Sequence, residues 1–202
     1  MRTRFRFFAT LLVLAAIAIT GSACGSGHAA MGHDEMTATH SADQMGTGQK
    51  ADVMFVQEML PHHQQAVEMA DLALDPAHQA SPAVMDLATR IKTAQSAEII
   101  SMNAWLVEWG ADPIDGQMDH GNMDHNGMGM MSSADMTALA AATGAAFDRL
   151  WVEGMISHHE GALMMASHIA HRGADARVHD LSGAITKSQT AEIAEMRALL
   201  NQ

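Results

Sequence analysis

The sequence predicts an all-α protein, an antiparallel four-helix bundle of the ferritin-like type built from a duplicated helical hairpin. Four segments of 20 or more residues have apolar residues at helical spacing, and short turns join them in pairs. The stretch "EMLPHHQQAVEMA" at 58–70 is also repeated as "GMISHHEGALMMA" at 154–166. The aligned positions that match include Met59 with Met155, His62 with His158, His63 with His159, Ala66 with Ala162, and Met69 with Met165.

The predicted helices span about residues 51–74, 83–109, 145–171 and 175–200, with a short helix at 133–142. Prolines and glycines mark the turns, at Pro76 and Pro82, at Gly110 with Pro113, and at Gly173. Ser132 or Ser133 is expected to cap the short helix and Gly144 to end it. A second alignment, "QSAEIISM" at 95–102 with "QTAEIAEM" at 189–196, extends the repeat to the second helix of each hairpin.

The amino terminus predicts export. Residues 1–23 contain three arginines and then an apolar run from Phe7 to Ile19, which is too short to span a bilayer. Cys24 follows small residues and resembles the acylated cysteine of bacterial lipoproteins. The alternative is ordinary cleavage that leaves a free thiol. We therefore expect a lipoprotein signal peptide at 1–23 and a protein anchored by lipidated Cys24 to the outer face of the cell membrane.

Charge limits the class of partner. The chain has 11 basic and 23 acidic residues, and removal of residues 1–23 would leave 8 basic residues and a formal charge of −15. Nucleic acid and anionic membrane surfaces would repel such a chain, whereas cations would be attracted. We therefore expect a metal ion and no nucleic acid as a partner. A second copy of the chain, in a homo-oligomer, and a copper-handling protein are further candidate partners.

Two glycine-rich segments are rich in methionine and histidine. Residues 24–50 are predicted to be a flexible tether, and residues 111–133 a linker between the hairpins of a bundle that spans 51–202. Methionine in such a segment has no core to fill, whereas thioether and imidazole together are copper ligands. The candidate linker ligands are Met118, His120, Met123, His125, Met128, Met130 and Met131. Copper, as Cu(I), Cu(II) or both, is the expected ligand.

The paired histidines fall within the apolar face of their helices. With 100° per residue and Met59 at zero, His63 lies near +40° and His62 near −60°, by the helical geometry of 3.6 residues per turn. The second copy gives the same result. The partner helices place Gln95 with Glu98, and Gln189 with Glu192, on their own apolar faces. Each hairpin is therefore expected to direct two histidines, one glutamate, one glutamine and methionines toward the interior.

Two interpretations of this cluster stay open. A buried carboxylate is costly unless it is paired or binds a metal. Glu98 and Glu192 could bond to the histidines in a polar network that fixes helix register. Alternatively the cluster is a metal site, since bundle proteins build such sites from side chains on facing helices. The candidate ligands are His62, His63, His158, His159, Glu98, Glu192, Met59, Met69, Met102, Met155, Met165 and Met196.

The sequences "FVQEMLPHHQQAVEMA" and "FDRLWVEGMISHHEGALMMA" resemble the repeated histidine-pair signature of the domain-of-unknown-function 305 family. This resemblance covers about residues 51–202 and implies an exported ferritin-like bundle, with some members linked to copper binding. It also implies His62, His63, His158 and His159 as ligands, with Met59, Met69, Met155 and Met165 beside them. The Glu-x-x-His pattern of di-iron bundles is absent at these positions, which argues against ferroxidase chemistry.

Three functions follow from these observations. The favoured one is a copper-binding protein that sequesters or relays the metal without turnover. The second is a metal-dependent oxidoreductase, in its simplest form a cuprous oxidase, with the metal held in the bundle core. The third is a structural or interaction module whose buried His–Glu network only specifies packing.

Overall fold

A computed structural model describes residues 46–112 and 128–201, which form five α-helices and one short 3₁₀ helix, without a β-strand in these ranges. The α-helices are α1 (Thr47–Leu74), α2 (Pro82–Trp109), α3 (Ser133–Ala141), α4 (Gly144–Ile169) and α5 (Ala176–Leu200), and the 3₁₀ helix is Pro76–His78. The four long helices are the predicted ones, and the all-helical fold class is confirmed.

The first hairpin is formed by α1 and α2, and its turn follows the predicted proline signals. Pro76 opens the 3₁₀ helix, and Ser81 caps α2 by accepting a hydrogen bond from the Val84 N–H. Gly110 ends α2 with a φ of 64°, a left-handed conformation that glycine adopts without strain. Helix α1 begins earlier than predicted, because residues 47–50, assigned to the tether, are helical.

The second hairpin is formed by α4 and α5, and α3 precedes it. Ser132 and Asp135 form a reciprocal capping box at the start of α3, as the sequence indicated for one of the two serines. The predicted role of Gly144 was wrong. Helix α3 ends at Ala141, and Gly144 is the first residue of α4. Residues 133–141 thus form a separate helix, which packs Leu139 into the core beside Phe147.

The hairpins meet through α1 and α4. The buried core consists of methionine, alanine, leucine, isoleucine, valine and aromatic side chains, and all four long helices contribute to it. Trp151 of α4 is fully buried and donates its indole N–H to the Met69 carbonyl of α1, with 2.9 Å between nitrogen and oxygen. On the outside, Arg90 of α2 pairs with Glu195 of α5. This ion pair is exposed, so burial of the core is the main source of stability.

Asp52 links the start of α1 to the turn between α4 and α5 at one end of the bundle. This buried carboxylate on α1 accepts hydrogen bonds from the backbone N–H groups of Ala174 and Asp175, each at 2.9 Å, just before α5. A carboxylate at a helix amino terminus is favourable because the first N–H groups of the helix have no helical partner. Asp52 therefore fixes the turn between α4 and α5 against α1.

Residues 128–131, which we call the strap, lie across α1 and α4 ahead of α3. Gln65 of α1 bonds to both the N–H and the carbonyl of Met131, at 2.8 and 2.9 Å. The Met128 carbonyl approaches Gly161 of α4 so closely that a Cβ there would lie 1.7 Å from its oxygen. The last part of the predicted linker is therefore docked on the bundle.

Several predictions lie outside the described residues. These are the signal peptide, Cys24 and its lipidation, the tether up to residue 45, and the linker from 113 to 127. Among the helices that the structure describes, none has the length and apolar character needed to cross a membrane.

Candidate metal centre

All four histidines of the repeated motif are fully buried, as the helical wheel predicted. His62 and His63 lie on the face of α1 that packs against α4 and α2, and His158 and His159 occupy the same positions on α4. Adjacent residues on a helix diverge by about 100°, so each pair directs one ring toward the other hairpin and one toward its own hairpin partner.

The second histidine of each pair bonds to a glutamate of its own hairpin. His63 Nε2 lies 2.8 Å from Oε2 of Glu98, and His159 Nε2 lies 2.8 Å from Oε2 of Glu192. The side chains of Glu98 and Glu192 retain 21 % and 14 % exposure, so these carboxylates lie at the edge of the core. The predicted His–Glu contacts are thus present in both hairpins.

The first histidine of each pair contacts its counterpart at the bundle centre. The rings of His62 and His158 are 3.7 Å apart between centroids, with an angle of 37° between their planes. His158 Nε2 lies 2.9 Å from the carbonyl oxygen of His62. His62 Nε2 instead lies 3.0 Å from the carbonyl oxygen of Met128 in the strap. The two hairpins therefore form one continuous cluster rather than two separate ones.

These contacts decide which nitrogen of each neutral ring carries the proton. The partners of all four Nε2 atoms are carbonyl or carboxylate oxygens, which accept hydrogen bonds, so each Nε2 carries a proton and donates it. In the neutral imidazole this leaves the lone pair on Nδ1. All four Nδ1 atoms are buried and have no hydrogen-bond partner.

Unpartnered buried atoms are concentrated at this cluster. Among the described residues eight such side-chain atoms occur, and seven belong to the four histidines, Gln95 and Gln189. Buried polar groups are normally paired, so a local excess indicates an ion or ordered water at that place. A metal-binding histidine also typically donates its other N–H to a carboxylate or carbonyl. The donor set therefore fits a metal that prefers imidazole.

The central pair is held neutral. Burial lowers the pKa of His62 to about 3, and repulsion by His63 acts in the same direction. Burial, followed by repulsion from His62, lowers the pKa of His158 well below its ordinary value. Since a metal competes with protons for an imidazole lone pair, neutral rings are ready to bind at pH 7.

The predicted methionines also lie in the core. Met59, Met69, Met102, Met155 and Met196 are fully buried and Met165 is nearly so. Met59 lies one turn before His63 on α1, and Met155 lies one turn before His159 on α4, positions that share a helix face. Met59 and Met155 are therefore placed one turn from a histidine of the cluster, and burial of all six methionines is also what core packing requires.

The predicted convergence of the ligands is only partly present. In the ranges 46–112 and 128–201, no three His, Cys, Asp or Glu side chains are arranged to hold one ion. The bundle thus provides pairs of imidazoles whose Nε2 protons are bonded to carbonyl or carboxylate oxygens. A metal held by these imidazoles would need further ligands, which the methionines could supply. Met118, His120, Met123 and His125 lie outside the described residues, whereas Met128, Met130 and Met131 belong to the strap.

Sequence reasoning missed two residues that seat the strap, Gln65 and Gly161. They occupy equivalent positions in the repeat, since each follows the histidine pair by two residues. In the first copy the glutamine side chain binds the Met131 backbone, and in the second copy the glycine admits the Met128 carbonyl. The sequence signal that could have identified them is the replacement of glutamine by glycine at one position of two otherwise similar segments.

A profile of the family described as "Domain of unknown function (DUF305)" matches residues 52–200. The chain belongs to the DUF305 family. Among curated proteins, none matches the chain.

Solved structures of DUF305 proteins share this fold. A DUF305 fragment from Deinococcus radiodurans is 29 % identical, covers 77 % of this chain and 99 % of that chain, and superimposes with a TM-score of 0.68. A Streptomyces coelicolor DUF305 protein described as secreted is 28 % identical, covers 77 % and 94 %, and gives a TM-score of 0.68. CopM in its Cu(II)-bound form is 35 % identical, covers 73 % and 94 %, and gives a TM-score of 0.62. CopM has also been solved with Cu(I) bound.

Proposed function

We propose that this DUF305 protein is an extracytoplasmic copper-binding protein that sequesters or relays copper as cargo. The observation that carries the proposal is the set of four buried imidazoles, each of which donates its Nε2 proton to an oxygen and leaves Nδ1 without a partner. Imidazole accepts either oxidation state of copper, and the buried thioethers around it favour Cu(I).

The structural relatives support copper as the bound metal and a location outside the cytoplasm. CopM, which binds Cu(I) and Cu(II), is 32–35 % identical to this chain in those two forms. The relative from Streptomyces coelicolor is described as secreted. The arginines, apolar run and cysteine of residues 1–24 support the same destination and a lipid anchor at Cys24.

The linker supports a relay rather than storage alone. Its M-D-H repeats at 118–120 and 123–125 place thioether and imidazole ligands a few residues before the strap. The strap itself contacts the histidine cluster through the Met128 carbonyl. Copper bound by the linker would thus be brought to the bundle at the point where the chain meets His62.

Removal of both glutamates should weaken copper binding without removing a proposed imidazole ligand. In the double variant Glu98→Ala with Glu192→Ala, His63 and His159 lose their acceptors, and we expect about 10- to 100-fold lower copper affinity. The measurement is competition against a chelator of known affinity, with Cu(I) and Cu(II) separately. Glu160→Ala is the matched control, because this glutamate on α4 is exposed and pairs with Arg197.

A structural network is the competing function, and one observation favours it: three His or carboxylate side chains do not converge within the described ranges. In that case the double variant would lower the urea midpoint while copper retention stayed equal to that of the Glu160→Ala protein. If the unchanged chain retains neither Cu(I) nor Cu(II) in the competition, the copper proposal is lost.

A further inference from the structure

A second group of potential ligands lies beside the histidine cluster, where the strap meets α1 and α4. At Gly154 of α4, the position that a Cβ would occupy is 2.8 Å from the Met131 sulfur and 3.4 Å from the Met69 methyl carbon. The ends of a strap methionine and a core methionine are therefore close neighbours. Gly154 gives them room, because any larger residue would fill the space that the sulfur occupies.

The position of Met131 is fixed by its backbone. Gln65 accepts a hydrogen bond from the Met131 N–H and donates one to the Met131 carbonyl, so the same amide holds both sides of this residue. A bidentate contact of this kind restricts the segment even though only part of the strap is buried. The backbone that carries the Met131 thioether is thus held against α1, with the sulfur beside Gly154.

A cavity of about 230 Å³ opens from this place to the surface. Its walls include Met130 and Met131 of the strap, Glu153 and Ser157 of α4, and Asp135 of α3. Met130 and Met131 line this cavity, so an ion can reach them from solvent, whereas Met69 lies behind Gly154 in the core. The two carboxylates of the lining already have partners, since Glu153 pairs with Arg149 and Asp135 bonds to Ser132, so the methionines are the free donors of this cavity.

A glycine in the interior of a helix costs about 1 kcal/mol relative to alanine. Helix stability alone would therefore favour alanine at position 154. The equivalent position in the first copy of the repeat is Glu58, so the repeat itself does not require glycine. The close approach of a sulfur atom explains the glycine, since alanine would displace it.

We propose that the thioethers of Met69 and Met131, joined from the cavity side by Met130, form a binding site for a soft monovalent ion, cuprous copper in the cell. It lies at the junction of linker and bundle and is separate from the histidine cluster. It rests on the proposed function for the identity of the cargo, and thioether ligands select Cu(I) over harder ions.

The test is an Ag⁺ titration of the full chain, isotopically labelled at the methionine methyl carbons and followed by NMR. Ag⁺ is a soft monovalent ion without redox chemistry under these conditions. The methyl signals of Met69 and Met131 are expected to shift together, at the same added equivalent of silver. In Met131→Leu the response of Met69 should be lost, whereas Met54→Leu, which changes an exposed methionine of α1, should preserve it.

The outcomes separate this site from the proposed function. If the Met69 methyl does not respond, or responds unchanged in Met131→Leu, the thioether site is overturned even where the chain retains copper. If Met69 and Met131 shift together while the chain fails to retain copper against the chelator, the thioether site stands and the copper function fails. A joint shift that persists in the Glu98→Ala, Glu192→Ala protein supports a site distinct from the histidines. A joint shift lost in that protein shows a single shared site and overturns the separation.

Discussion

The metal-free protein should lose folding stability steeply as the pH falls from about 6.5 toward 5. In the unfolded chain His62 and His158 take up protons near their ordinary pKa of 6.5, whereas in the folded chain the pKa of His62 is about 3 and that of His158 is also far lowered. The unfolded state therefore binds more protons throughout this window, and stability is lost as the pH falls. We expect a decrease in the free energy of unfolding of about 1 to 3 kcal/mol per pH unit for the two residues together.

Urea denaturation at intervals from pH 7.5 to 4.5, with metal removed by a chelator, measures this slope. Arg177 lowers the pKa of Glu108 and Asp175, so their contribution is lost as the pH falls through the ordinary carboxyl values of 4.5 and 3.8, at the low end of this range. His168→Gln is the control, because this histidine of α4 is exposed and its removal should leave the slope unchanged. A free energy of unfolding that stays constant between pH 6.5 and 5 would contradict this prediction, because it would show that the central histidines take up protons in the folded protein as they do in the unfolded chain.

Gly161→Ala should displace the strap from the bundle. The new Cβ would lie 1.7 Å from the Met128 oxygen and 2.4 Å from its carbonyl carbon, and backbone atoms cannot yield as a flexible side chain does. We expect the contact between His62 and Met128 to be lost, with a destabilisation of about 1–3 kcal/mol, typical of overpacking. The Met131 N–H, bonded to Gln65 in the parent, should then exchange faster with solvent.

Gly183→Ala provides the matched comparison. This glycine lies inside α5 with no heavy atom within 4 Å of the Cβ position, so alanine should fit freely and stabilise the helix by about 0.5–1 kcal/mol. Hydrogen exchange and urea midpoints of the two variants therefore move in opposite directions. Equal exchange rates of the Met131 amide in Gly161→Ala and in the parent would contradict the role assigned to Gly161.

The position of the histidines could be predicted because a helix has a fixed period. Once Met59, Ala66 and Ala70 define the apolar face of α1, the rotation per residue decides that His62 and His63 face inward. The same reasoning placed Glu98 on the apolar face of α2, and the His63–Glu98 contact belongs to one of the two interpretations that the sequence left open. Local signals were equally reliable for Ser132, since a capping box involves residues only three positions apart.

Prediction failed where a local signal had two meanings. Gly144 could end one helix or begin the next, and its φ of 58° serves the start of α4 after an extended Thr143. Lys50 and the residues just before it appeared to belong to a polar tether, yet they extend α1 by one turn. Their helical state depends on packing at the bundle end, where Gly48 approaches Ala174 across the chain.

The sequence by itself determined the number of long helices, their pairing into hairpins, the burial of both histidine pairs and the glutamate that each hairpin supplies. These properties depend on periodicity and on contacts within one hairpin, which are encoded locally. Only the tertiary structure decided that the His62 and His158 rings contact each other, that the strap supplies an oxygen to His62, and that Met131 comes beside Met69. Those contacts join residues separated by 62 to 96 positions, so they exist only once α1 and α4 have packed face to face.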